Sequence, residues 1–524
     1  MNTIPPRMAA SHNSPAIRSH TAPPMPQTGI PRRHFLRLGS VALTATVMFP
    51  WRHLEALAQG AAAPAGGPDM RLGAVDLTVQ PILMHDRPQR VEGRSWRNWG
   101  GLQTPELVDE EAARIEGELQ RLSRGAGFGL RLLPLARVTS PAQTEPLKGS
   151  AADVLLIYAA GAGTDTLNAL AGLGKQMVIF VRYKSGPYYL WHEIVDSRFL
   201  RSHTDTIQQK QAGIDDVVVD DMEQVRWRLQ ALYGLRNTVG RRIVCVGGPG
   251  GWSWPTAPEL ARARFQLDMI DLPIPELSAL IEAGRKNEAL MEKCQRLARS
   301  YIDAEGVKLV TTEKAVREAF LLQQLFYQQM AKSDAFAVTV RGCMNSYAGI
   351  MPCMTLTLVN DEGYMAYCEG DFVTIPSGIL LHFICGKPTY FCNPTWPHQG
   401  KMMFAHCTAP RRMDGKTLAP VELVTHYESD HGAATHIRFP QGQLLTILKP
   451  DFEAKNWLAM TGRILDNPYP DTCRAQVEVA LHADTQEVIR NMRGFHCMLA
   501  YGDYTREIAY AANKVGIQVQ VLKG

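Results

Sequence analysis

The chain has 524 residues, a length that predicts about three domains, and its 45% apolar and 20% charged residues are typical of a globular protein with sizeable cores. The formal charge of +4 comes from 55 basic and 51 acidic residues, with basic residues of the first segment contributing, so it does not indicate a nucleic-acid partner. The ten cysteines begin at Cys245 and include no CxxC pair, which argues against a zinc ribbon or a thioredoxin motif. Most of them sit in apolar runs, so we expect buried thiols rather than a disulfide framework.

Residues 1–58 are predicted to be a disordered leader with a twin-arginine export signal. Arg32 and Arg33 precede a moderately apolar run that ends at Phe49, and Ala56-Leu57-Ala58 supplies a small-x-small cleavage pattern. That run is too short and too weakly apolar for a membrane span, and no later run of about eighteen apolar residues follows. We therefore expect export by the twin-arginine translocase, cleavage near Ala58, a periplasmic or otherwise exported location, and a mature chain without a stable membrane span.

A Gly/Ala/Pro linker at 59–69 is followed by a predicted N-terminal α/β domain at 70–236. Its amphipathic helix is predicted over Pro105–Leu122. Short apolar runs alternate with helical stretches, a pattern that predicts a parallel sheet covered on both faces. The predicted strands are Leu72–Val79, Leu130–Leu135, Val154–Tyr158, Met177–Val181 and Val217–Val219.

A second α/β domain is predicted at 237–334 and opens with the strand Ile243–Val246. The loop Gly247-Gly248-Pro249-Gly250-Gly251 follows it, but its spacing matches neither GxGxxG nor a phosphate-binding loop. We interpret this loop as a tight turn that needs positive φ angles. Helices are predicted around 273–284, 286–301 and 312–330.

The third predicted domain, at 335–524, is rich in strands, which indicates a mixed α+β or barrel-like architecture. The predicted strands are Phe336–Arg341, Thr355–Val359, Pro388–Phe391, Lys401–Ala405, Val421–His426, Ala434–Phe439, Gln443–Leu448, Trp457–Ile464, Gln476–Leu481 and Ile517–Leu522.

The stretch Tyr367–Arg411 is the candidate active site. The pair Glu369 and Asp371 closes a strand-like run, a second strand ends at Asn393, and a third is followed by His406. An acid, an amide and an imidazole at the ends of consecutive elements are typical of sites built on the loops of a rigid α/β scaffold.

Four short motifs in this part of the chain resemble the C-terminal domain of the L-fucose and L-arabinose isomerase superfamily. They are CEGD, FCNP, AHCTAP and the terminal GFH…YGDYTREI…GIQVQVL, and the resemblance covers roughly 335–524. It implies two Rossmann-like parallel-sheet domains before the C-terminal domain, a Mn²⁺-dependent aldose–ketose isomerase activity, a sugar substrate and a homo-oligomer.

The resemblance also implies roles for individual residues. Glu369 matches the glutamate that serves as metal ligand and proton-transfer base, while His406 and His496 match histidine ligands. The second acidic ligand falls on Asn393, which can contact metal or substrate but carries no negative charge. Asp371 is a substitute carboxylate on the same strand face, although we favour the alternative that it caps a helix beginning at Phe372.

The function expected from these residues is metal-dependent isomerisation through an enediol. The alternatives are a non-catalytic carbohydrate-binding or assembly protein, which Asn393 and the export signal favour, and a metal-assisted sugar lyase or epimerase. Arg411 is a candidate for binding an anionic substrate group.

Three further features, two involving histidines and one a tryptophan, have structural interpretations. His382 lies in an apolar run and is expected to be structural. His426, His431 and His436 lie near Glu428 and Asp430 and are interpreted as part of a solvated loop, because their spacing matches no standard metal motif. Trp252 is expected in core packing, with sugar stacking as the alternative.

Overall fold

The computed structural model describes residues 68–97, 99–100, 102–190, 195, 199, 212–342 and 346–524. These residues belong to one unit that spans Pro50–Gly524. The leader, the twin-arginine signal, the cleavage site and residues 59–67 of the linker lie outside the described residues, as does Cys343. Within the described ranges, no helix is both long enough and apolar enough to cross a bilayer.

The first sheet is parallel, as the alternation of apolar runs and helices predicts. Its strands pair in the order β2-β1-β4-β5-β6, with β3 also paired to β1. They are β1 Leu77–Met84, β2 Leu130–Leu132, β3 Ala136–Val138, β4 Val154–Ala159, β5 Gln176–Val181 and β6 Val217–Val219. The helices are α1 Pro105–Gly125, α2 Gly163–Ala171 and α3 Met222–Thr238. The first strand begins five residues later than the predicted Leu72, because residues 70–73 form a turn instead.

A buried ion pair fastens α1 to the end of β5. Arg182 is fully buried; its Nε lies 2.6 Å from Glu111 Oε1 and its Nη2 lies 2.8 Å from Glu118 Oε2. Tyr189 also donates a hydrogen bond to Glu111, at 2.8 Å. Since charges without partners are very costly in an interior, this network ties the helix position to the sheet edge.

The second sheet is also parallel and has the order β11-β10-β7-β8. The strands of this part of the chain are β7 Arg242–Val246, β8 Asp268–Leu272, β9 Val307–Leu309, β10 Ala337–Val340 and β11 Met365–Tyr367. The helices are α4 Ala257–Phe265, α5 Ile274–Lys286, α6 Glu288–Ile302, α7 Glu313–Lys332 and α8 Cys353–Asp361. Two of the four strands thus come from beyond residue 335.

The predicted strand Thr355–Val359 is wrong, because this segment lies inside the helix α8. Every residue of α8 is buried, so the helix has no polar face that would reveal a helical period. The alternation of Thr with Leu and Val therefore imitates the two-residue period of a strand.

A closed, six-stranded antiparallel barrel forms the C-terminal region. Its strands follow the cycle β16-β19-β12-β13-β18-β17, and β17 closes the barrel by pairing with β16. The remaining strands are β12 Tyr390–Pro394, β13 Lys401–His406, β14 Val421–Val424, β15 Ala434–Ile437, β16 Leu444–Lys449, β17 Asn456–Asp466, β18 Ala475–Leu481, β19 Cys497–Tyr501 and β20 Gln518–Val521. The helices are α9 Ile375–Cys385, α10 Thr485–Asn491 and α11 Thr505–Asn513. Strand β20 joins β17 in parallel, and β15, β14 and β9 form a separate small sheet.

Candidate metal centre

The structure brings Glu369, His406 and His496 together. Glu369 lies in the turn after β11, His406 is the last residue of β13, and His496 immediately precedes β19. Each residue offers one ligand atom to a group whose members all lie within 4.8 Å of one another, and all three side chains are buried. The site therefore forms where the carboxyl edge of the second sheet meets one end of the barrel, and parallel sheets commonly bind ligands at that edge.

The separations within this group suit a single cation. His496 Nε2 lies 3.0 Å from Glu369 Oε2, and His406 Nε2 lies 3.5 Å from Glu369 Oε1. Ligand atoms bound to one ion at about 2.1 Å stand roughly 3.0 to 3.4 Å apart in octahedral or tetrahedral geometry. Glu369 Oε2 and His496 Nε2 are buried without an aligned hydrogen bond. One carboxylate and two imidazoles are a donor set for Mn²⁺, Fe²⁺ or Zn²⁺, so the residues present fit a divalent metal.

Hydrogen bonds from behind orient both imidazoles. His496 Nδ1 lies 2.8 Å from Asp371 Oδ2, and His406 Nδ1 lies 3.1 Å from Thr408 Oγ1. Partners of this kind hold a ligating imidazole in one tautomer, with Nε2 facing the metal. Asp371 is fully buried, so its carboxylate serves His496 rather than an open substrate position.

The interpretation of Asp371 as the cap of a helix beginning at Phe372 needs correction, because α9 begins at Ile375. Asp371 instead stabilises the turn before the helix. Its Oδ1 accepts a hydrogen bond from the backbone N–H of Val373, at 3.0 Å. The two carboxylate oxygens of Asp371 therefore have separate tasks, one in the turn and one at His496.

The glycine-rich loop supports the turn that carries Glu369. Gly250 donates a backbone hydrogen bond to Gly370 at 3.0 Å and accepts one from Phe372 at 3.0 Å. Gly247 and Gly248 have φ angles of 77° and 82°, so the expected positive-φ turn is present. Glu369 itself has φ 66°, a conformation that is costly for a residue other than glycine and that tends to occur at functional sites.

The carboxylates and imidazoles of the site shift one another's pKa values. Burial alone would raise the pKa of Glu369, but the imidazoles of His406 and His496 outweigh it and lower the pKa to about 2. Burial would likewise lower the pKa of His496, and the carboxylates of Asp371 and Glu369 reverse this and raise it. The carboxylates and the imidazole of His496 thus favour one another's charged forms.

Aromatic rings cover the solvent side of His496. Trp252 is 51% exposed and stacks on Phe495, with ring centroids 4.7 Å apart and an interplanar angle of 15°. The Trp252 ring also meets the His496 ring edge-on at 5.4 Å. The expectation that Trp252 packs in the core is therefore wrong. Its ring is an exposed aromatic surface beside the candidate metal ligands.

Asn393 lies on the barrel strand next to His406 but makes no described contact with Glu369. Its backbone pairs with Ala405, the residue before His406, and its Oδ1 is buried without a hydrogen-bond partner. Arg411 is buried elsewhere: its Nε donates to the carbonyl of Ala419 at 2.8 Å, and its backbone N–H donates to Asp361. Asn393 thus lies near the site without a described contact to Glu369. The Arg411 side chain and backbone are bonded to Ala419 and Asp361, away from the three candidate ligands.

The remaining histidines divide into two kinds. His382 is buried in α9 and desolvation lowers its pKa to about 3, as suits a structural residue. The expectation of a solvated histidine loop is wrong for His426 and His436, which are both buried, whereas His431 is exposed. Loop composition suggested exposure, but His436 lies on β15 and His426 lies two residues after β14, and both side chains are buried.

Sequence reasoning missed the roles of Asp371, the glycine loop and the Trp252–Phe495 pair. The glycine loop alone had a visible signal, its run of small residues after a strand. The other two depend on contacts across 125 and 243 positions of the chain, which no local pattern encodes.

Comparisons with known proteins identify no family. No family model matches the chain, and no curated protein matches it. A solved structure titled as a putative two-component system response regulator/GGDEF domain protein is similar over 59% of this chain and 97% of its own, at 11% identity and a TM-score of 0.22. A likeness at that score supports no inference about this protein.

Proposed function

We propose that this protein is a metal-dependent enzyme that moves a proton between adjacent carbons of a monosaccharide or modified sugar, in the manner of an aldose–ketose isomerase. The convergence of Glu369, His406 and His496, with Asp371 behind His496, is the observation that carries the proposal. The resemblance of the motifs around these residues to the L-fucose and L-arabinose isomerase superfamily supports the same reaction class. Export by the twin-arginine route and assembly into a homo-oligomer belong to the same proposal.

The two histidines and Glu369 would hold a divalent cation such as Mn²⁺. When bound there, the ion would polarise the carbonyl of an open-chain sugar and acidify the neighbouring C–H bond. His496 depends on Asp371 for its orientation, and His406 depends on Thr408. The chain thus supplies ligands whose direction is set before a substrate arrives.

Glu369 is the residue to which we assign the proton transfer. Asp371 is the other carboxylate beside the cluster, and both of its oxygens already accept hydrogen bonds. Glu369 removes the proton from the hydroxyl-bearing carbon next to the carbonyl and returns it to the former carbonyl carbon. The proton of that hydroxyl group passes to the former carbonyl oxygen, so the atoms balance without any outside reagent. The Trp252–Phe495 pair gives the flat face of a sugar an aromatic surface and excludes water from the His496 side.

A non-catalytic carbohydrate-binding protein is the second candidate, and Asn393 is the observation that favours it. The amide cannot move a proton and adds no negative charge to the ligand set. Its buried Oδ1 has no hydrogen-bond partner and could accept a hydrogen bond from a sugar hydroxyl group. A protein with this site would bind a metal and a sugar but would not exchange the proton.

Hydrogen exchange in D₂O tests the proposal. The purified protein, loaded with Mn²⁺, is incubated with a panel of aldoses and ketoses, and NMR follows deuterium incorporation beside the carbonyl. We expect exchange that disappears in Glu369→Gln. The matched control is Glu422→Gln, since Glu422 also lies beside a histidine, 3.2 Å from His436 Nδ1, but on a different sheet.

The outcomes separate the two candidates. Exchange that survives in Glu369→Gln would remove this residue as the base. If no sugar shows deuterium exchange although the protein binds Mn²⁺ and sugar, the isomerase proposal is refuted and the carbohydrate-binding proposal is favoured.

A further inference from the structure

A second group of possible metal ligands lies next to the first and uses different chemistry. Cys353 is the first residue of α8, Cys407 directly follows β13, and His426 lies two residues after β14. The two sulfur atoms and one ring nitrogen lie within 4.8 Å of one another. All three side chains are at most 1% exposed. Three separate elements thus deliver two thiols and an imidazole to one buried point.

The imidazole is oriented as a ligand would be. His426 Nδ1 lies 3.0 Å from Ser429 Oγ. Nε2 is buried and has no aligned hydrogen bond, although Glu428 Oε2 is 2.8 Å away. Glu428 thus pairs with His426 and would place a carboxylate beside an ion held at this point.

The sulfur of Cys407 also has a feature of metal-bound thiolates. The backbone N–H of Arg474 donates to Cys407 Sγ at 3.4 Å. The Cys353 thiol and burial raise the pKa of Cys407 well above its usual value, and the Arg474 N–H opposes this rise. A bound cation would act in the same sense as this donor, because metal-bound cysteines are thiolates. The apolar residues around the thiols, Ala405, Val424 and Ala434, exclude water from the same point.

We propose that Cys353, Cys407 and His426 form a second metal site, specific for a soft or borderline ion of the zinc class. Two thiolates and one imidazole favour Zn²⁺ over the harder Mn²⁺ expected at Glu369. The site does not depend on the proposed isomerase activity.

The two sites share one turn of the chain. His406 belongs to the first group and Cys407, the next residue, to the second. A metal held by Cys407 would therefore fix the end of β13 and the position of His406. A cavity of about 670 Å³ is lined in part by Met351 and Thr425, which are close in the chain to Cys353 and His426.

Cobalt titration tests this site directly. The purified full-length protein, reduced with a non-chelating phosphine, is titrated with Co²⁺. We expect near-ultraviolet sulfur-to-cobalt charge-transfer absorption that one equivalent of Zn²⁺ abolishes. Glu369→Gln should retain this absorption, because the signal comes from thiolates and not from the first site. This wild-type spectrum tests the proposal even if a cysteine variant fails to fold.

Variants assign the ligands. Cys353→Ser and Cys407→Ser should each lose the absorption and bind Zn²⁺ at least about tenfold more weakly. Cys245→Ser, which alters another fully buried thiol, should behave as wild type. Co²⁺ binding without the sulfur band, equal loss in Cys245→Ser, or a Cys353–Cys407 disulfide found by mass spectrometry of the purified protein would each overturn the proposal.

Discussion

Replacing Asp371 with Asn should weaken metal binding even though Asp371 is not a ligand. In the structure, Oδ1 of Asp371 accepts from the Val373 N–H and Oδ2 lies 2.8 Å from His496 Nδ1. An asparagine amide has only one acceptor oxygen. If that oxygen stays with Val373, the NH₂ group faces His496 and requires an unprotonated Nδ1. The imidazole then carries its proton on Nε2, the nitrogen that faces Glu369, and cannot ligate a metal there.

The expected effect is a 10- to 100-fold loss of Mn²⁺ affinity, the usual range when a partner behind a metal ligand is removed. At roughly 1.4 kcal/mol per tenfold change, this corresponds to about 1.4 to 2.8 kcal/mol. Isothermal titration calorimetry with Mn²⁺ measures it at one fixed pH.

Asp361→Asn is the matched control, because Asp361 is also a buried carboxylate that accepts backbone hydrogen bonds, from Arg411 and Arg412. Its Mn²⁺ affinity should equal that of the wild type. Wild-type affinity in Asp371→Asn would refute the argument about the tautomer. An equal loss in both variants would show instead that the fold, and not the orientation of His496, had been disturbed.

Four further predictions follow from the same structure. Asn393→Asp should raise Mn²⁺ affinity at least about tenfold by restoring a second acidic ligand, which calorimetry would detect; unchanged affinity would show that residue 393 does not reach the ion. Burial raises the pKa of Asp361 from 3.8 to about 7, so its stabilising contribution is complete below pH 3.8 and is lost as the pH rises through 7. In urea unfolding, Asp361→Asn should therefore be close to neutral near pH 4 and increasingly stabilising up to pH 7, by at most on the order of 4 kcal/mol; a gain that did not grow with pH would contradict this. Trp252→Ala should weaken sugar binding about 3- to 10-fold and leave Mn²⁺ affinity unchanged, and equal losses in both would assign Trp252 to the support of the metal centre instead. Arg182→Met should destabilise the fold by on the order of 3 to 5 kcal/mol, because it removes the buried cation that pairs with Glu111 and Glu118 and leaves Glu111 only the partly exposed Arg114 as a cationic partner. The double variant with Glu111→Gln should recover part of that loss in the same urea assay.

Local patterns sufficed for much of the secondary structure. Val217–Val219 is a strand with the predicted bounds, and the predicted helix from Pro105 extends to Gly125. In the helix the burial period and the end signals agree, with Thr104 and Pro105 marking its start. The helix α8 was mistaken for a strand because it is buried on all sides, so that its sequence contains no contrast between faces.

The candidate ligands were predictable only in part, and the reason is geometric. The chemistry of Glu369, His406 and His496 and their placement at strand ends are properties of the sequence, together with the resemblance of the surrounding motifs. Which of the available histidines meet at one point is decided by the pairing of β12 with β13 and β19, which places the end of β13 and the start of β19 at the same end of the barrel.

The sequence by itself determined most element types, α8 excepted, the parallel character of the first two sheets and the residues able to bind a metal, since these follow from local periodicity and side-chain chemistry. Tertiary structure alone decided that Asp371 orients His496, that Trp252 faces solvent beside it, and that Cys353, Cys407 and His426 converge. Each of these is a contact between residues far apart in the chain. Such contacts depend on barrel closure and on the packing of the second sheet against it, which no segment specifies by itself.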